Sequence, residues 1–340
     1  MVKYSVIVPV YNRPQEVQEL LESLRLQTFR QFEIILVEDG SREPCEGVLA
    51  PFRDSLNIQY FTKPNSGPGQ TRNYGAQRAT GEWLIILDSD VLVPEGYFAA
   101  IDAELSREDC DAFGGPDRAH PAFTPIQKAI SYAMTAFFTT GGIRGGKKKM
   151  DKFYPRSFNM GIRKDVYAAL GGFSAMRFGE DIDLSTRIFK GGYRCRLFPD
   201  AWVYHKRRTD LKKFFKQVHN SGIARINLHK KHPGTLKLVH LLPAVFTLGT
   251  ALLVLLSVIG FACGHPGLGL WALAPLALYA LLILGDSYRL NRSLHVALLS
   301  IPAAFVQLLG YGSGFLRAWW LRGILGRGDD LQAFRKNFYK

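Results

Sequence analysis

From the N-terminus to about residue 205, short apolar, β-branched runs alternate with segments whose apolar positions recur every three or four residues. Residues 4–9 read as a strand, and 14–27 as a helix carrying Val17, Leu20, Leu21 and Leu24 on one face. Residues 32–37 and 58–62 are predicted as the next strands, 67–79 as a helix, and 83–87 as a strand that ends in acids. This β-α-β rhythm predicts an α/β fold with a mostly parallel sheet covered by helices, and ligands at the carboxyl ends of its strands. Asp39 and Asp88 each follow a strand, where that rule wants a ligand-binding group.

The pattern then changes. From Leu211 a basic, amphipathic helical stretch runs towards Leu238. Residues 241–262 follow as 22 positions without a charge, thirteen of them Leu, Val, Ile or Phe. At roughly −0.3 to −0.6 kcal/mol each, these contribute about −4 to −8 kcal/mol towards membrane insertion. Residues 268–285 form a second uncharged run of 18, and 296–316 a third of 21. Spanning takes about 20 apolar residues, so the first two are expected to cross as a hairpin turning at 263–267. The third contains Pro302 and Gly310-Tyr311-Gly312-Ser313-Gly314, which weaken a straight helix. A third crossing would also carry the tail outside, with Arg317, Arg322, Arg327, Arg335, Lys336 and Lys340 against Asp329 and Asp330. That opposes the positive-inside bias, so the third segment is expected to be bent or re-entrant.

Charge sharpens this picture. The net charge is +14, and ten Lys or Arg lie between Lys206 and Lys237 against a single acid, Asp210. A basic run abutting apolar segments points to an anionic membrane surface. A pI of 9.6 would also suit a nucleic-acid binder, but no recognised nucleic-acid motif accompanies it, so none is expected as a partner. Cys45, Cys110, Cys195 and Cys263 are far apart and form no Cys-x-x-Cys pair, which suits a reducing compartment. Residues 4–10 are too short for a signal-peptide core, so the α/β part is expected to face the cytoplasm.

Three acidic groups carry candidate chemistry. In Glu38-Asp39-Gly40-Ser41, the tight turn presents a carboxylate able to accept the N3–H of a uracil or an equivalent guanine donor; Asp-Gly also occurs for turn reasons alone. Asp88-Ser89-Asp90 offers two carboxylates at a strand end, hard oxygen ligands for Mg²⁺ or Mn²⁺ beside a diphosphate. Gly179-Glu180-Asp181 opens a helix through Leu184 and Ile188. Acids there suit the helix dipole, and one of them could also take a proton from an attacking hydroxyl.

The order of these blocks resembles the family 2 glycosyltransferases, which have the glycosyltransferase A-type fold. Ser5-Val6-Ile7-Val8-Pro9-Val10-Tyr11-Asn12-Arg13-Pro14 looks like the family's opening strand and nucleotide loop, implying donor contacts from Pro9, Tyr11, Asn12 and Arg13. Val37-Glu38-Asp39-Gly40-Ser41 resembles its base-binding turn. Asn65-Ser66-Gly67-Pro68-Gly69-Gln70-Thr71-Arg72-Asn73 is similar to its Gly-rich helix start, which puts Arg72 near the diphosphate or ribose. Asp88-Ser89-Asp90 matches its metal motif. Asn159-Met160-Gly161, Gly171-Gly172-Phe173 and Gly179-Glu180-Asp181 resemble its acceptor block, implying Asp181 as catalytic base with Glu180 beside it. Val203-Tyr204-His205 is similar to a late histidine that touches metal or diphosphate in many relatives. Two features depart from the family: Ser174-Ala175-Met176 stands where an acid often follows Gly-Gly-Phe, and the Gln-x-x-Arg-Trp string of processive members is absent.

The resemblance and the residues together imply a glycosyltransferase A-type, nucleotide-sugar-binding domain over 1–205, with a mostly parallel sheet. A basic connector over 206–237, membrane helices within 238–317 and a basic tail over 318–340 follow. The expected activity is metal-dependent, inverting transfer of a sugar from a nucleotide-sugar, a UDP-sugar before a GDP-sugar. The expected acceptor is a lipid-linked or other glycan in cell-surface polysaccharide or glycolipid synthesis, reached at the cytoplasmic face of the inner membrane. Asp88 is expected to contact ribose or metal and Asp90 to be the main metal ligand. The alternatives are a polyprenyl-phosphate sugar synthase and a membrane protein whose nucleotide-sugar domain only binds. The run Arg144-Gly145-Gly146-Lys147-Lys148-Lys149 reads either as a solvated loop or as an acceptor-side loop that attracts phosphate.

Overall fold

The computed structural model describes residues 2–141, 153–176 and 178–326. They form two compact units: one holds the described residues of 1–120 and 149–206, the other those of 121–148 and 207–328. The basic run 144–149 and the tail acids and bases from Arg327 onward lie outside the described residues.

The first unit begins with β1 (Tyr4–Val10), α1 (Pro14–Arg25), β2 (Phe32–Asp39), β3 (Ile58–Lys63), α2 (Pro68–Ala76), β4 (Trp83–Leu87) and β5 (Val91–Leu92). It continues through α3 (Tyr97–Arg107), β6 (Ala112–Gly114) and β7 (Asp117–Arg118). The chain then passes through α4 (Pro125–Thr135) and α5 (Phe137–Thr140) of the second unit. It returns as β8 (Asn159–Arg163), α6 (Lys164–Ala169), α7 (Glu180–Lys190), β9 (Cys195–Leu197) and β10 (Val203–His205).

Seven strands form one sheet in the order β3-β2-β1-β4-β8-β6-β9. β3, β2, β1 and β4 run parallel, and β8 pairs antiparallel with both β4 and β6. The central strands read as near-continuous apolar runs because both of their faces are covered. Val6, Val8, Ile34, Leu36 and Ile85 pack with Leu20, Leu24 and Phe98 on one face. Ile7, Ile35, Val37, Leu84 and Ile86 pack with Phe173, Leu184 and Ile188 on the other. The parallel register, with Ile7 opposite both Ile35 and Ile86, brings the ends of β1, β2 and β4 to one edge. A second sheet of three short strands, β5-β10-β7, places His205 opposite Val91. The Lys206 N–H donates to the Asp90 carbonyl at 3.1 Å, which closes this pairing.

The second unit is helical: α4 and α5, then α8 (Leu211–Lys231), α9 (Leu242–Ala262), α10 (Pro266–Asn291) and α11 (Leu294–Trp319). Residues 121–141 belong to this unit for a packing reason. Ala129, Ile130 and Ala133 of α4 bury against Phe214, Val218, Val296 and Ala303. The connector is likewise more than a linker. α8 ends at Lys231, before the break at Pro233 and Gly234, and its apolar side is buried in the unit.

Among the described residues, three helices are long and apolar enough to cross a membrane, within Leu238–Ala262, Pro266–Asn291 and Leu294–Ile324. α11 is one unbroken helix through Pro302 and the glycine string. Those glycines serve close approach: a Cβ on Gly314 would stand 2.0 Å from the His219 carbonyl oxygen, and one on Gly312 2.2 Å from that of Pro243. α11 meets the α9–α10 hairpin near its open end. Ser300 hydrogen-bonds Ser287 at 2.7 Å, and the Phe305 ring packs on Tyr279 and Phe246 at 5.5 and 5.8 Å. Further along the hairpin, Leu252, Leu255, Val258, Leu268 and Trp271 remain exposed. The later part of α11 lies along α8, and just past its end the Lys230 ammonium donates to the Arg322 carbonyl at 2.7 Å.

Candidate active site

The carboxyl edge of the sheet gathers the chemistry. After β1 the chain turns through Tyr11, Asn12 and Arg13, and Asn12 takes a positive φ of 52°. Its N–H donates to Ser41 Oγ at 2.9 Å, and its Oδ1 accepts the Arg42 and Glu43 N–H groups at 2.7 and 3.2 Å. The β1–α1 loop is thereby stapled to the turn after β2, so two separate sequence motifs form one wall. Pro9, Tyr11, Asn12 and Arg13 are all half-buried in it.

Asp39, the last residue of β2, is fully buried. Its carboxylate accepts from Lys63 Nζ at 2.5 Å and from the Ser66 and Gly67 N–H groups at 2.8 Å each. Gly67 reaches this position with a φ of 91°, open only to glycine at little strain, and starts α2. Of the carboxylate's roughly four acceptor positions, three are filled from within the protein.

Asp88 and Asp90 leave β4 together, and the small sheet brings His205 to them. One ligand atom from each of the three lies within 4.8 Å of the others. Asp90 accepts from Arg13 through Oδ2, and its Oδ1 lies 3.3 Å from His205 Nε2. Beyond that contact with His205, Asp90 Oδ1 has no hydrogen-bond partner among the described residues, and His205 Nδ1 is buried with none. Burial alone would raise the Asp90 carboxyl, but His205 and Arg13 hold it far below the usual carboxylate range. Two carboxylates and an imidazole gathered this closely, with His205 Nδ1 left without a partner among the described residues, fit a divalent cation.

Arg72 joins this cluster to the start of α7. Its guanidinium is buried, donating to Asp88 at 2.6 Å through Nη2 and to Glu180 at 3.1 Å through Nη1. Gly69, one turn earlier, packs closely on Phe173, where a Cβ would lie 3.3 Å from Phe173 Cβ. Burial and the neighbouring Asp181 charge raise the Glu180 carboxyl to about 7, against the pull of Arg72. Asp181 is the more open acid, 18% exposed at the side chain against 10%, with Arg156 Nε at 3.6 Å.

Residues 5–171 match the model of the family described as glycosyl transferase family 2. The chain carries a family 2 glycosyltransferase domain. Over 194 residues it is 42% identical to an uncharacterized glycosyltransferase of Haemophilus influenzae, covering 55% of this chain and 62% of that protein. It is 27% identical over 215 residues to the minor teichoic acid biosynthesis protein GgaB of Bacillus subtilis, covering 61% and 23%. Other curated relatives match over only 15% of their own length. In fold, the chain is similar to the mannosyltransferase PcManGT from Pyrobaculum calidifontis, solved in complex with GDP-Man and Mn2+. The TM-score is 0.62 at 21% identity, covering 90% of this chain and 87% of that one.

Within the glycosyltransferase domain, Arg13, Asp88, Asp90 and His205 come together as one cluster, with Arg72 and Glu180 attached to it. Asp39 sits apart in its own cradle. Several partners escape a linear reading. Lys63 reaches Asp39 because β2 and β3 pair those two residues directly, a register no motif announces. Phe158 stacks on the His205 ring at 4.8 Å. Ser174, where relatives often have an acid, donates to Asp183 at 2.7 Å, and Asp183 in turn holds Arg187 at 2.8 Å. The four-residue spacing of Asp183 and Arg187 was the available signal for that pair.

Proposed function

We propose that this chain transfers a sugar from a nucleoside-diphosphate sugar to a lipid-linked or other glycan acceptor at a membrane surface. The carrying observation is the Asp88–Asp90–His205 cluster, whose ligand atoms lie within 4.8 Å of one another at the carboxyl edge of the parallel strands. Mg²⁺ or Mn²⁺ held by these residues would stabilise the departing diphosphate as a Lewis acid. Asp39 offers its remaining acceptor position to the base N–H, with a UDP-sugar the first candidate and a GDP-sugar the second. Asp181, the more exposed acid of its pair, takes the proton from the acceptor hydroxyl in a single inverting displacement. Glu180 acts from behind, fixing the start of α7 through Arg72.

The hairpin of α9 and α10 anchors the protein, because its outer half exposes Leu252, Leu255, Val258, Leu268 and Trp271 to whatever surrounds it. α11 instead lies across the base of that hairpin at the membrane surface. α8, packed along its later half, carries exposed Lys212, Lys213, Lys216, Lys230 and Lys231. Each lysine would cost roughly 2.5–3.5 kcal/mol at a bilayer centre. The positive-inside bias then puts α8 and the glycosyltransferase domain on the cytoplasmic side, at the inner membrane. The likeness to a teichoic acid biosynthesis protein supports a cell-surface polymer as the product.

Membranes containing the full chain, incubated with a panel of UDP- and GDP-sugars, test this reading. It expects nucleoside diphosphate release together with label entering the lipid or glycan fraction. Analysis of that product separates a sugar on a glycan hydroxyl from one on a lipid phosphate. Binding of donors without any turnover would favour a non-catalytic domain.

A further inference from the structure

Asp90 does not stand open in its cluster: one of its two oxygens is already paired with the Arg13 guanidinium. The two partners differ in freedom. Asp90 is anchored at the end of β4, is 11% exposed at its side chain, and has its carbonyl fixed by the Lys206 N–H. Arg13 comes from the opposite loop and is 31% exposed at its side chain. The backbone before it is held by the Asn12 contacts with Ser41, Arg42 and Glu43. The movable part of the pair is therefore the arginine side chain.

A divalent cation entering between Asp88, Asp90 and His205 would meet that guanidinium as a like charge, while competing with it for the same carboxylate. A diphosphate arriving at the same edge reverses the balance, since guanidinium pairs with phosphate oxygens in a bidentate fork. Resting on the donor and metal reading above, we infer that Arg13 is a resident counter-ion of Asp90 that the donor's diphosphate draws away. Cation and nucleoside diphosphate then bind as a pair, and Arg13 serves whichever acid group is present. It keeps Asp90 paired in the empty site and becomes a positioning residue for the diphosphate in the filled one.

The test is Mn²⁺ binding to the full chain in detergent micelles, followed by electron paramagnetic resonance of free Mn²⁺, with no nucleotide and no turnover. A parallel titration measures UDP and GDP affinity with Mn²⁺ present. A charge-assisted contact is worth about 1.5–3 kcal/mol, which corresponds to roughly 10- to 100-fold in affinity. Arg13→Gln should therefore bind Mn²⁺ alone at least about tenfold more tightly than wild type and bind the nucleotide about tenfold more weakly. Arg13→Lys should stay near wild type in both, with thermal melts confirming that each variant is folded. Unchanged or weaker Mn²⁺ binding by Arg13→Gln, in a protein that binds the ion, overturns the counter-ion role alone. Nucleotide binding with no Mn²⁺ affinity in either protein overturns the metal reading and this inference together.

Discussion

Arg72 Nη1 lies 3.1 Å from Glu180 Oε1, across 108 residues of sequence, while its Nη2 holds Asp88 at 2.6 Å. One buried guanidinium thus ties Asp88, at the end of β4, to the helix that begins with Glu180 and Asp181. The resemblance to the family puts Arg72 near the diphosphate or ribose; in the structure its guanidinium holds two carboxylates of the protein. Breaking a buried pair by removing one partner typically costs about 3–5 kcal/mol, because the remaining charge is stranded. Arg72→Met should lower the unfolding midpoint clearly and weaken donor binding and catalysis together. A variant with wild-type stability and only weaker donor binding would instead place Arg72 on the ligand.

Asp181→Asn should keep donor binding and lose transfer by about 10²- to 10⁴-fold, the usual contribution of a positioned general base. Equilibrium binding of the donor beside initial rates separates the two effects. Transfer within about threefold of wild type would remove Asp181 from that role.

Glu180 gives a pH signature. Its carboxyl is raised to about 7 from an ordinary 4.5, so the folded protein binds a proton that the unfolded chain has released in that window. The associated stability is fully present below 4.5 and is lost as pH rises through about 7. Melts of the metal-free protein should show wild type losing ground to Glu180→Gln between pH 5 and pH 8, by up to about 3 kcal/mol. A constant difference across that range would mean that Arg72 keeps Glu180 ionised throughout.

The membrane arrangement makes a labelling prediction. Cys263 is exposed at the turn between α9 and α10, whereas Cys45 and Cys110 are buried. In intact cells an impermeant maleimide should label Cys263 from outside. A single cysteine placed at Gly326, just beyond α11, should stay protected until lysis. Labelling at both positions would establish α11 as a third full span.

Much of this was legible in the sequence for identifiable reasons. The strands of the first unit are buried on both faces, so their apolar runs stand out, and the acids at the ends of β2 and β4 mark the carboxyl edge of the sheet. His205 could be suspected only by resemblance; what brings it to Asp90 is the two-residue pairing of β10 with β5, too short to leave a pattern. The α4 segment was hidden in a different way. Its apolar face looks like that of any covering helix, and nothing local says that it packs with Phe214, Val218 and Ala303 from distant segments. The glycine string of α11 reads as a weakness in isolation; its purpose shows only when His219 and Pro243 are found against it.

On the proposed function, Asp88, Asp90 and His205 form a cation site required for breaking the sugar–phosphate bond. Its most direct test is the initial rate of nucleoside diphosphate release by the full chain in membranes, measured after chelation and again after Mn²⁺ or Mg²⁺ is added back. Chelation should stop release, one of the two ions should restore it, and Asp90→Ala should be restored by neither. A full rate in chelator would contradict it, leaving Asp88-Ser89-Asp90 as a turn and the arginines as the groups that neutralise the leaving diphosphate.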